Sequence, residues 1–101
     1  MTYGAIPEAE GWQIPQGIKT ALRLARAACV TSKGYNSKVA ISYIDAVPHA
    51  ITDAVMIGES PAYSLKVQIM YILCNLAWWR GDRARRCKGL LKGWADAIPY
   101  P

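Results

Sequence analysis

Phenylalanine is missing from this 101-residue chain, valine occurs only 5 times, and a single histidine is present. With 15 alanines, few valines, no phenylalanine and isoleucine, at 10, the only abundant β-branched residue, the balance favours helices. Three cysteines, Cys29, Cys74 and Cys87, form no close pair, which excludes a disulfide framework or a paired-cysteine zinc motif and suits a reducing, cytoplasmic setting. No lysine or arginine precedes Lys19, and no early apolar run has signal-peptide length, so secretion by that route is not expected. The longest apolar stretch, Ile69 to Trp79 interrupted by Asn75, falls well short of the ~20 residues of a membrane span. Charged residues are only 19% of the chain, which excludes intrinsic disorder.

What is abundant is apolar material, 52% of the residues, more than a one-domain monomer of this length needs. Net charge is +5 and unevenly placed. Residues 1–18 sum to −2, 19–38 to +5, 39–65 to −3 and 66–101 to +5, so two basic blocks flank an acidic middle. That pattern points to an acidic protein, a nucleotide or a nucleic acid as partner.

The chain reads as an all-α protein: a small four-helix domain, residues 18–101, preceded by an irregular N-terminal arm, residues 1–17. Pro7, Gly11, Pro15 and Gly17 break the arm, which packs through Tyr3, Ile6, Trp12 and Ile14. Ile18, Ala21, Leu22, Ala25 and Cys29 recur at helical spacing and predict a helix over 18–30 with Lys19, Arg23 and Arg26 on its other side. Ser37 is a candidate N-cap for a second helix, 37–57, whose polar stripe holds phase across Pro48 and which is therefore expected to kink near 44–48, two successive helices in register being the alternative. Gly58, Ser60 and Pro61 mark a stop, an N-cap and a first helical position. The third helix, 61–80, is apolar on nearly every side and is expected to be the central element, with part of its surface left for another subunit. Gln68 and Asn75 within it are candidates for fixing the register of a helix pair. The fourth, 82–96, sets Ala84, Cys87, Leu91 and Trp94 against a basic face.

Two surfaces carry functional candidates. The basic set is Lys19, Arg23, Arg26, Arg80, Arg83, Arg85, Arg86, Lys88 and Lys92, able to neutralise an acidic partner or phosphates, with Trp78 and Trp79 available to stack on bases. The self-association set is Ile69, Ile72, Leu76, Trp79, Gly89 and Gly93, the two glycines offering a flat strip for a second helix. His49 with Asp45 and Asp53 at four-residue spacing shares a helical face but does not complete a metal site. No nucleophile–base pair or phosphate-binding glycine loop is present, so neither catalysis nor a cofactor is expected. The run from Gln68 to Lys92 is similar to helical hairpins of small bacteriophage and mobile-element proteins, a likeness that names no family and carries no functional residue. The expected function is a non-catalytic, self-associating interaction or assembly protein whose basic faces bind an acidic partner or anionic ligand. The alternative is a nucleic-acid-binding module using 19–38 and 80–92.

Overall fold

A computed structural model describes residues 12–99, which form α-helices and turns with no strand among them. The helices are α1 (Gln16–Ser32), α2 (Tyr35–Asp45), α3 (Val47–Met56), α4 (Pro61–Cys74) and α5 (Asp82–Ala97). Helix α1 buries Ile18, Ala21, Leu22, Ala25 and Cys29, the stripe read from the sequence, and stops where Lys33 turns left-handed and donates its N–H to the Cys29 carbonyl. Of the arm, Trp12 and Ile14 pack against the core, while Tyr3 and Ile6 lie outside the described residues.

Helix α2 starts two residues earlier than the expected cap at Ser37. Gly34 takes the N-cap position, and Ser37 is buried one turn in, its hydroxyl donating to Ser32 Oγ at 2.8 Å. Pro48 has no N–H for the Ile44 carbonyl, so the expected single kinked helix is divided at Ala46 (φ −83°, ψ −7°). The path continues nonetheless, because Ala46 N–H bonds Ser42 O and Ala50 N–H bonds Ala46 O. Together α2 and α3 make one bent rod, and the domain is a four-helix arrangement.

Ser60 accepts a hydrogen bond from Tyr63 N–H and Pro61 opens α4, as its sequence signature dictates. The expected extension of this helix to residue 80 is not found: it ends at Cys74. Beyond it, Leu76 and Trp79 N–H groups turn back onto Leu73 and Leu76 carbonyls, and Trp78 Nε1 donates to Asn75 O. Lys88 Nζ from α5 donates to Leu76 O (3.1 Å), which also accepts from Trp79 N–H, and to Trp79 O (2.6 Å), pinning the turn to α5. Apolar residues in this stretch thus reach the core from a turn, which periodicity alone does not distinguish from a helix.

Helix α4 is the centre of the domain, packed on α2, α3 and α5, while α1 packs on α2 and α5. Leu65, Ile69, Ile72 and Leu76 are fully buried against Ala25, Cys29, Ala40, Val47 and Leu91. Gln68 Nε2 donates to Tyr43 O, the Tyr43 and Tyr71 rings stack at 5.2 Å, and Ser64 Oγ donates to Ala50 O. Asn75 Nδ2 donates to Tyr71 O one turn back. Gln68 therefore fixes α4 against α2 within one chain, and Asn75 caps its own helix, so both of these polar groups are satisfied without a second subunit. The molecule measures 47 × 23 × 21 Å.

Candidate interaction groove

Beside the core stripe of α1, one flank of that helix, Gly17, Thr20 and Leu24, faces α5 together with Ala21 at the stripe's edge. Across from it, α5 presents Arg83, Arg86, Cys87 and Leu90, and the two helices enclose an open groove of about 550 Å³. A second depression of about 400 Å³, lined by Gly89, Gly93 and Trp94, shares Gly17 and Leu90 with the first and continues it along α5. Two small residues keep the helices close: Cys87 Sγ sits 3.0 Å from Ala21 O. Leu24 (37% exposed) and Leu90 (49% exposed) remain in solvent.

The glycine pair belongs to this groove. A Cβ added at Gly89 or Gly93 would meet nothing within 4 Å among the described residues, so none of these requires glycine at either position. Both sit inside a helix, where glycine costs about 1 kcal/mol relative to alanine. Gly89→Ala and Gly93→Ala are each expected to raise stability by about 0.5–1 kcal/mol, measured by urea denaturation with an unchanged m-value.

Charge concentrates at one end. Arg83 and Arg86 are exposed and have no acidic partner among the described residues, whereas Asp82, also on the rim, is tied to Arg85 (2.8 Å). The groove is thus an apolar channel with a cationic end.

No family model matches the chain, and no curated protein or solved structure matches it.

Of the nine basic candidates, the groove brings together Arg83 and Arg86. Arg26 makes a bidentate pair with Asp45 (2.7 and 2.9 Å), Lys92 pairs with Asp96 (2.7 Å), and Lys88 is committed to two carbonyls. Lys19 and Arg23 are exposed on α1, Arg23 donating to Thr20 Oγ1. A polar depression of about 270 Å³ gathers Trp79, Arg80, Arg85 and Lys88, but Asp82 and the two carbonyls hold Arg85 and Lys88. Trp78 and Trp79 are half-buried on the core rather than presented for stacking.

The self-association set is divided. Ile69, Ile72 and Leu76 are fully buried inside the monomer and offer no surface to another subunit, which corrects their assignment; Trp79 packs against the core. Gly89 and Gly93 lie on the open face. On α4 the exposed apolar groups are Met70 and Tyr71. Leu24, off the core stripe beside Arg23, and Leu90 gain their significance from facing each other across the groove.

Asp45 is engaged by Arg26 rather than by His49, and no group of three or more metal-ligating side chains occurs among the described residues. The hydrogen bonds from Arg26 hold the Asp45 carboxyl below the ordinary carboxylate range. A depressed carboxylate contributes stability that is present above its unfolded pKa of about 3.9 and is lost as pH falls through the folded value. Asp45→Asn is therefore expected to lower the melting temperature slightly near neutral pH, the pair being exposed, with the difference from wild type vanishing on acidification.

Proposed function

We propose that this chain is a non-catalytic interaction protein that holds an acidic, partly apolar protein segment in the groove between α1 and α5. The observation that carries the reading is the combination of exposed Leu24 and Leu90 with Arg83 and Arg86, which have no acidic partner among the described residues, along one channel. Exposed aliphatic groups supply contact area, and clustered arginines at the end of the channel select a negatively charged occupant. From Arg83 to Trp94 the channel runs eleven residues of α5, about 16 Å, which matches roughly three turns of a docked helix.

The test is an NMR titration with two synthetic 14-residue helical peptides that share one leucine pattern and carry either glutamates or lysines on the flanks. The glutamate peptide is expected to shift the Leu24, Leu90 and Arg86 resonances. Its affinity should fall with added salt and drop at least about tenfold in the Arg83→Ala/Arg86→Ala variant. Equal binding of both peptides, or none, overturns the reading. A single-stranded oligonucleotide that outcompetes the glutamate peptide would transfer the groove to the nucleic-acid alternative.

A further inference from the structure

The acidic middle of the chain ends in a feature the fold leaves uncovered. Helix α3 closes at Met56, Ile57 caps it, and Gly58 at φ +80° turns the backbone into Glu59 and α4. Met56 is 75% and Ile57 68% exposed, the most exposed aliphatic side chains among the large hydrophobics of the described residues. Asp53, one turn before Ile57, and Glu59 are exposed, and neither has an ion-pair partner among the described residues. The turn between α3 and α4 is thus an apolar tip with two free carboxylates.

This tip and the groove have opposite charge and matching apolar character, and one chain cannot bring them together. Helix α3 packs on α4 and abuts α2, whereas the groove lies between α1 and α5. Lys66, five residues into α4, already bonds Ala95 O and Ile98 O, so the tip, nine residues before it, stands beyond the C-terminal end of α5. We propose that the chain assembles head to tail, the Met56–Ile57 tip of one copy seated in the α1–α5 groove of the next with Asp53 and Glu59 beside Arg83 and Arg86. This rests on the reading of the groove as a seat for an acidic segment and names that segment. The two contact surfaces differ, so the contact is heterologous and repeats into a ring or an open chain instead of closing as a twofold dimer. It also gives the apolar excess of the sequence a use after the core has taken Ile69, Ile72 and Leu76. Opposite charges on the two patches impose a register and make association salt-dependent.

The experiment is sedimentation equilibrium of the full chain, wild type and two variants. Wild type at about 200 µM and low salt is expected to reach at least twice the monomer mass, as suits a contact smaller than a standard interface. Arg83→Glu/Arg86→Glu disables the groove and Met56→Ser/Ile57→Ser disables the tip; each variant alone should be monomeric. Mixed in equal amounts they retain one good tip and one good groove between them, and should form a discrete dimer that grows no further. Should either variant lose its helical circular dichroism, a synthetic peptide of residues 47–60 replaces it and must shorten the wild-type assembly. A monomeric wild type, a variant that still dimerises alone, or a mixture without dimer overturns the proposal. If wild type is monomeric and its groove still takes the glutamate peptide, the head-to-tail contact fails while the proposed function stands; if it takes neither, both fail.

Discussion

Lys66→Ala is expected to remove about 3 kcal/mol of folding stability, a large loss for a lysine. Its side chain is only 4% exposed, yet its ammonium donates to Ala95 O at 2.8 Å and Ile98 O at 2.7 Å. Those carbonyls belong to the last turn of α5 and its C-cap, where helical donors run out and a positive charge is favoured. Truncation takes the ammonium from both carbonyls, of which Ala95 O keeps its bond from Ile98 N–H, at about 1–3 kcal/mol, and also strips the packed aliphatic stem. Lys66→Met separates the two: it keeps the stem, loses the charge, and should cost about 1–2 kcal/mol. Urea denaturation gives the totals. Hydrogen exchange should place the loss of protection in the last turn of α5, and uniform loss along the chain would show that the lysine acts on the core instead.

Ile69→Ala should cost about 3–4 kcal/mol, since the residue is fully buried at the centre of α4 and its removal opens a cavity between the helices. Typical domain stabilities are only about 5–15 kcal/mol, so the variant should unfold at markedly lower urea while keeping its m-value. The same substitution separates core from interface. Under conditions where the variant is still folded its assembly should match wild type, because Ile69 contacts no partner in the proposed arrangement. Met56→Ser/Ile57→Ser should behave in the opposite sense, changing assembly and leaving the denaturation midpoint nearly unmoved.

The helices were legible where apolar spacing and punctuation agreed. Ile18 through Cys29 defined the buried face of α1, and Gly58, Ser60 and Pro61 placed the start of α4. Legibility failed where two causes produce the same pattern. The apolar run through Trp79 reads as helix, but after Cys74 it is a turn held by a lysine from α5, a tertiary hydrogen bond that leaves no periodic trace. That shortening also explains the misassigned interface: a 20-residue all-round apolar helix needs a partner, whereas a 14-residue one is largely covered by α2, α3 and α5. Of the groove, the arginines and the glycine pair were visible in the sequence. Leu24 and Leu90 were not singled out, because an apolar residue outside the stripe acquires meaning only once its neighbour across the groove is known. Which arginines are free was likewise hidden, since Arg26 finds Asp45 nineteen positions away.

The burial of the cysteines supplies a clock. Cys29 and Cys87 are buried, and burial pushes both thiols up, whereas Cys74 is exposed near the end of α4. A maleimide reagent therefore meets one ready thiol in the folded chain and two that become reactive only when helices part. Cys87 lies between α5 and α1, its Sγ 3.0 Å from Ala21 O, so the rate at which it labels follows the opening of that helix pair, whereas Cys29, fully buried, follows the opening of the core. The unmodified sequence carries its own kinetic readout of opening at the groove.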